Sequence, residues 1–515
     1  MCSSTICATL SLVGVVCLGL ASTARAATLT VTSQADAGVG SLRDTIAAAA
    51  ANDIIVFDPA VTSISLTSQI LITVPIEVNG PGPGVLSISG GGTTRIFNNT
   101  ASGTSVRGLT ITNGGGVLEG GGVYSTANLT IENCVISTCM CTTSSFDGGG
   151  AIRSFGAALV LRDSTFHNNS APVGAGGAVW TSGGTLLMER CTVSNNTASR
   201  VAGVGMTGTV GTFRYSTFTG NNGTQNRGSL YGQSGTGHIV ENCTFTGNTS
   251  PQWGGPFPIN GNWTITNCTM SGNSPEDYVG TTTAILHYCI IGTASVWSGT
   301  SVASGGSNVV QNPNGTTGWL ATDVLNANPM LGALASNGGP TQTMLPQAGS
   351  PAINVNTGGT ASTLDQRGLM RTGTADAGAV EVDAPGPLSV SPSSTNPGGV
   401  ITLTGIDMNL VTAVTVGGSV ASLGASTSTT LTATLDSQTP TGFYQPIVVS
   451  IGAISQSFLR IEVVLPTTPT VTGVSPNPVP SGGTFTITGL SLGGATTLTV
   501  GGSAATIQIN TPTSI

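Results

Sequence analysis

At 515 residues the chain is long enough for several domains, yet only 7% of it is charged and 75 of its residues are glycine. All 13 basic residues are arginine, the net charge is −8 with a pI near 4.7, and no basic stripe is present, which argues against nucleic acid as a partner. An apolar content of 39%, together with clear repeats, favours a packed core over a low-complexity linker. The abundance of Gly, Thr, Ser, Val and Asn favours short strands joined by tight turns over helices.

Residues 1–26 read as a secretion signal. Leu10 to Leu20 is an apolar run of the length of an h-region, too short to cross a bilayer comfortably, and Ala24-Arg25-Ala26 is a small-x-small cleavage site. No later segment is long and apolar enough to cross a membrane as a helix. The segment at 41–57 reads as a short helix capped by Ser41, with Leu42, Ile46 and Ala49 on one face. It leads into a strand at Ile54-Ile55-Val56-Phe57 and would close the first turn of a stacked fold.

The middle of the chain is a repeat. LTIENCVIS (129–137), LVLRDSTFHNN (159–169), LLMERCTVSNN (186–196), GTFRYSTFTGNN (211–222), HIVENCTFTGN (238–248), WTITNCTMSGN (263–273) and ILHYCIIG (285–292) align on an anchor column of Cys134, Ser164, Cys191, Ser216, Cys243, Cys268 and Cys289. Gly108 in RGLTITN fits one step earlier. Spacings of 21 to 30 residues fall in the solenoid range and below the length of a four-stranded propeller blade. In each copy apolar residues alternate before the anchor and recur two positions after it (Ile136, Phe166, Val193, Phe218, Phe245, Met270, Ile291), with two polar residues breaking the alternation. Strand, corner, strand at this period predicts an all-β, single-stranded parallel β-helix, taken as right-handed, with like positions stacked about 4.8 Å apart.

Stacking predicts two further columns. Two residues before the anchor run Glu132, Arg162, Glu189, Arg214 and Glu241, an alternation that favours neighbouring rungs. Five residues after it run Asn169, Asn196, Asn221, Asn248 and Asn273, read as a structural turn ladder that exploits the tolerance of Asn for left-handed backbone. The anchor column itself reads as core, with a disulfide among Cys243, Cys268 and Cys289 as the minor alternative. Cys139 and Cys141 read as loop residues, where a bridge or reactive thiol is more plausible.

Glycine runs GGGVY, GGGAI (148–152) and GAGGAVW (174–180) separate the copies. Together with the tetrads Phe166–Asn169, Phe218–Asn221 and Phe245–Asn248, they resemble repeats of the polymorphic outer membrane protein family. That resemblance implies a β-helical passenger at a cell surface, normally followed by an outer-membrane barrel, which this chain does not show. SLRDTIA (41–47) is similar to the "CSLREAI" start of secreted bacterial β-helix proteins, with Gly40 in the Cys position. NPMLGALASNGGPTQTMLPQAGSPAIN (328–354), DQRG (365–368) and DAGAVE (376–381) resemble the choice-of-anchor Q domain, implying closure of the coil and surface attachment. After Pro-Gly-Pro at 385–387, two copies of one pattern (388–423 and 471–507) resemble the immunoglobulin-like IPT/TIG domain, the second one incomplete. The expected organisation is a signal at 1–26, β-helix at 27–320, C-terminal cap at 321–384, and sandwich domains at 385–465 and 466–515.

These features point to a secreted, cell-surface or outer-membrane-associated protein of bacterial type, structural or adhesin-like, contacting glycans or extracellular proteins without catalysis. The alternative is a pectate lyase-like polysaccharide lyase or glycoside hydrolase, since the fold hosts such enzymes. The acids clustered by stacking (Glu132, Asp163, Glu189 and Glu241) each lie beside Arg and read as a salt ladder. His167, His238 and His287 have no partners at metal-ligand spacing, and Asp147 is a lone loop acid. No catalytic, cofactor-binding or metal-binding residue is assigned.

Overall fold

The computed structural model describes residues 26–506 apart from 143–146, 259–261, 281–283, 297–300, 356–360, 372, 383, 452–453, 465–469, 477–482, 491, 493–497 and 501–502. The expected signal segment lies outside the described residues up to Arg25.

Three parallel sheets wind into one coil. Sheet one has twelve strands, from Thr28–Val31 to Ala303–Ser304; sheet two has thirteen, from Ser63–Ser65 to Val324–Leu325; sheet three has eight, from Ile70–Ile72 to Phe257–Pro258. The only α-helix among the described residues, Leu42–Ala48, starts at Ser41, whose hydroxyl accepts the Asp44 amide at 3.2 Å, and buries Leu42 and Ile46 against the first strands.

The rungs stack in the register that the anchor alignment implies: Glu132 pairs Arg162, Arg162 pairs Glu189, Glu189 pairs Arg214 and Arg214 pairs Glu241. All seven anchors are buried, and no disulfide joins any of the seven cysteines from 134 to 289. The corner explains the choice of Cys and Ser. The residue before each anchor (Asn133, Asp163, Arg190, Tyr215, Asn242, Asn267, Tyr288) has a positive φ near 50°. This turn leaves the carbonyl two residues before the anchor facing the anchor side chain. Ser164 and Ser216 donate to it at 2.6 and 2.8 Å, and the thiols of Cys134, Cys191, Cys243, Cys268 and Cys289 reach it at 3.3–3.4 Å. A small side chain with one donor satisfies a buried acceptor there. Gly108 is itself the corner residue of its rung, with φ +62°, and Leu109 takes the interior position.

The Asn column works differently from the expectation. Left-handed backbone falls one residue earlier, at Asn168, Asn195, Gly220, Gly247 and Gly272. Asn169, Asn196, Asn221, Asn248 and Asn273 instead point inward and are buried. Each Nδ2 donates to the Oδ1 of the next rung at 2.8–3.0 Å, a chain that runs through to Asn273 and ends on Asp277. The other Nδ2 proton goes to a carbonyl (Ile136, Phe166, Val193, Phe218, Phe245), and each Oδ1 also accepts a backbone amide from the rung before. In Asn196, Asn221, Asn248 and Asn273 two donors and two acceptor sites are all used, so the buried amide is saturated, while Asn169 Oδ1 accepts the Cys139 amide. Cys139 begins this column, its amide bonded to Asn169 Oδ1 at 3.0 Å; it and Cys141 are fully buried, not loop thiols. Burial pushes the Cys134 and Cys139 thiols up to about 12, so they stay protonated.

Residues 328–381 form an irregular pad along the flank of the coil, over the corner between sheets one and two. The interior of the last rungs meets Trp319 and Leu325 instead. Gln366 donates to Thr217 Oγ1 and Thr341 Oγ1 at 2.8 and 2.9 Å and accepts from Thr244 at 2.6 Å; Gly378 donates to the Tyr288 carbonyl at 2.7 Å. Within the pad, Asp365–Arg367 (2.8 Å) and Arg371–Glu381 (3.2 Å) form a buried ion network, which is the structural employment of the DQRG and DAGAVE motifs. Beyond it, the described residues of 386–463 fold into a two-sheet sandwich, antiparallel except where Ser394–Thr395 pairs parallel with Ile454–Val463, around Ile401, Leu403, Val414, Leu431, Ile447 and Ile461. Its Arg460 approaches Asp163 of the coil at 3.8 Å.

Asn221→Ala removes the acceptor of two Asn196 donors and the side-chain donor to the Val193 carbonyl and Asn248 Oδ1, so it should cost roughly 3 kcal/mol by the usual penalty for buried unsatisfied groups. Urea unfolding followed by far-UV circular dichroism should show a clear drop in midpoint, with Thr197→Ala on the exposed neighbouring column nearly silent.

Candidate functional site

The acids singled out by stacking are held as a salt ladder. Arg107–Glu132 spans 3.4 Å, Arg162–Glu189 2.9 Å and Arg214–Glu241 2.9 Å, while Asp163 and Arg190 make a two-bond pair at 2.6 and 2.9 Å in the next column. The ladder extends below its expected start through Arg107 to Glu77 at 3.5 Å. His287 stands in the same column in register with Thr266 and is half-buried. His167 lies outward on sheet two, against Asn168. His238 is buried and stacked on Trp263 at 4.1 Å; its Nδ1 accepts the Gly211 amide at 3.1 Å, which places the proton on Nε2. Among the described residues no group of three or more His, Cys, Asp or Glu could hold a metal, and no helix is long and apolar enough to cross a membrane.

The side chains that do converge lie on the outer face of sheet three. There Tyr124, Arg153, Trp180, Gly205 and Tyr231 stand in one register column. Over its upper part the connecting loops add a second layer: Ala175, Val201 and Trp253 close over Trp180 and Tyr231, with Arg227 4.1 Å from the Tyr231 ring. Gly205 is required here, since a Cβ would lie 2.2 Å from Trp180 Cε3. Below Trp180, among the described residues, Phe155, Leu118 and Leu71 are 54%, 70% and 50% exposed.

At the step between the covered and open parts, Arg153 is buried with a carboxylate on either side. Its Nε lies 3.3 Å from Glu119 Oε2 and its Nη2 3.0 Å from Asp147 Oδ1, and its guanidinium carbon sits 5.5 Å from the centre of the Phe155 ring. Asp147 also accepts Trp180 Nε1 at 3.2 Å and Ser182 Oγ at 3.5 Å. The Glu119 backbone is fixed by Arg95, which bonds the Glu119 and Gly120 carbonyls at 2.6 and 2.9 Å and stacks over Tyr124. Glu119 and Asp147 remain 30% and 43% exposed, so the buried arginine positions two solvent-facing carboxylates beside an open aromatic ring. Past Phe155, along the coil axis, the same outward column continues as Ser182, Thr207 and Gln233. Hydroxyl-accepting oxygens next to a ring face, followed by a polar track at the rung spacing, suit a linear polyhydroxylated ligand.

The sequence reading leaves Asp147 a lone loop acid and assigns nothing to Glu119 and Arg153, because the acids sit in connections of unequal length and Arg153 in a sheet-three strand, all outside the aligned segments. The clue available was that GGGVY and GGGAI are each preceded by an acid, Glu119 and Asp147.

Residues 79–198, which contain this cluster, match the family model described as right handed beta helix region. The coil is thus a right-handed parallel β-helix. A search of curated proteins returned no match.

Arg153→Met would leave both carboxylates without their shared cation, and removing one partner of a buried ion pair is strongly destabilising; with the acids part-exposed, about 2 kcal/mol is expected, read as a lowered urea midpoint, whereas Asp147→Asn should cost less than about 1 kcal/mol. Burial lowers the pKa of His238, so its charging favours the unfolded chain; stability should fall as pH drops below the ordinary histidine pKa of about 6.5, and a His238→Gln chain should show a flatter dependence of midpoint on pH between neutral and mildly acid solution.

Proposed function

We propose that this chain is a secreted or cell-surface β-helix protein that holds glycan along the outer face of sheet three without cleaving it. The observation that carries the reading is the exposed Phe155 ring beside Glu119 and Asp147, both oriented by one buried arginine. The apolar faces of a sugar ring would lie on Phe155 and Leu118, and its hydroxyls would donate to the carboxylates. The resemblances of 328–381 to the choice-of-anchor Q domain and of 388–507 to IPT/TIG modules, with the signal-like 1–26, support export and attachment at a bacterial-type surface.

A second reading, a lyase or hydrolase on the same face, is favoured by the convergence of two carboxylates on one guanidinium, since paired acids carry glycosidic hydrolysis. Affinity electrophoresis against a panel of neutral and uronate polysaccharides decides between them. Retardation by at least one polymer is expected, weakened about tenfold by Phe155→Ala, the loss of roughly 1.4 kcal/mol of ring contact. Release of reducing or unsaturated ends, with or without Ca²⁺, would overturn the non-enzymatic reading, and absence of retardation by every polymer would overturn the glycan reading.

A further inference from the structure

The outer face of sheet one is used by neither reading above; towards its upper end the pad reaches its edge, where the Ser362 hydroxyl donates to Glu241 Oε1. It carries three outward columns. Nearest the corner is the charged one, Arg107, Glu132, Arg162, Glu189, Arg214, Glu241, Thr266, His287. Beside it runs a mixed apolar column that includes Val160, Leu187, Ile239 and Ile285, and beyond that lie Thr185 and Val210. Arg162 and Arg214 are each 37% exposed and Val210 and Ile285 36% and 43%, while Glu189 and Glu241 keep 16% and 23%, so the arginines and the apolar residues are the positions that reach solvent.

Within one coil the charges pair along the stack, using one nitrogen of Arg162 on Glu189 and one of Arg214 on Glu241. A guanidinium offers five donors, so each arginine keeps donors that can be directed away from the sheet. The order of signs has a symmetry consequence. Arg162, Glu189, Arg214, Glu241 reads plus, minus, plus, minus, and reversing an even alternation exchanges every sign. A two-fold axis lying along the strand direction, between the rungs of Glu189 and Arg214, brings the faces of two copies together with their coil axes antiparallel. Each column then faces itself in reverse: Arg162 opposes Glu241 of the other copy, Glu189 opposes Arg214, Glu132 opposes Thr266, and Arg107 opposes His287. In the neighbouring column Val160 meets Ile239. No like charges meet among these rungs.

We propose that this face is an isologous interface that pairs two copies of the chain antiparallel. The occupant is a second copy because the surface is complementary to itself, which is the property a two-fold interface requires. The size is adequate: eight rungs at about 4.8 Å and five residues of strand at about 3.3 Å cover about 650 Å² on each copy, about 1,300 Å² in all, within the range of specific interfaces.

Light scattering on the purified chain, at low and at high salt over a concentration series, reads the oligomer directly. A dimer is expected at low salt, weakened as salt screens the facing charges. Glu189→Arg sets like charges opposite each other twice and should weaken the dimer about a hundredfold or more. Two charge-neutral exchanges then separate the interface from the ladder within one coil. Glu189→Arg with Arg214→Glu keeps every cross-copy pair opposite in sign and should restore the dimer. Arg162→Glu with Glu189→Arg sets like charges across both pairs and should remain monomeric. Circular dichroism and urea midpoints report that each variant is folded. A wild-type chain that is monomeric at every concentration and salt overturns the proposal, as does equal dimerisation by the two exchanges.

Discussion

Everything in this molecule depends on the vertical repeat of the coil, in which each side chain must be satisfied by the residue at the same position one rung above or below. The buried Asn column shows the constraint most sharply. An amide side chain cannot be left unsatisfied in a dry interior, and it is long enough to reach the next copy of itself about 4.8 Å away. Because each Oδ1 from Asn196 to Asn273 accepts both the side-chain and the backbone donor of its neighbour, the column fixes the backbone turn as well as the side chain. Its aligned dipoles end on Asp277, whose carboxyl burial pushes up while the amides of Asn273 and Thr293 draw it down. The hydrophobic interior supplies most of the driving force, but the Asn and Cys/Ser columns determine which residues stack on which.

The same constraint explains how far the fold was legible. Anchor spacing, the alternation before it and the sign alternation at Glu132 to Glu241 are consequences of stacking, so they are written in linear sequence with a recoverable period. The roles of Asn169 to Asn273 were harder to read, because the left-handed residue and the inward amide are neighbours and both positions accept Asn. Asn168 and Asn195 turn the chain, while Asn169 and Asn196 fill it. Cys139 looked like a loop residue because its rung has Cys where the others have Asn, so the column lost its label where it begins.

The candidate site was illegible for the opposite reason. Glu119, Asp147, Arg153 and Trp180 come from three successive turns, the two acids from connections of varying length and Arg153 and Trp180 from sheet-three strands outside the copies aligned on the anchors. Their relation exists only once Gly205 leaves room for the Trp180 ring, whose Nε1 then donates to Asp147. A periodic scaffold therefore announces itself in sequence, while side chains brought together from outside the aligned copies do not.

The pad at 328–381 changes what the coil is mechanically. It is joined to the chain after the last rung, yet its bonds land on Tyr215, Thr217, Asn242, Thr244, Asn267, Thr269 and Tyr288, and the sandwich after it reaches the level of Asp163. A pull applied through the sandwich consequently enters the coil from the side, spread over several turns, and loads those bonds in shear. Were the sandwich attached only beyond the last turn, the same pull would peel that turn from the stack one hydrogen bond at a time, the weakest way to open a solenoid.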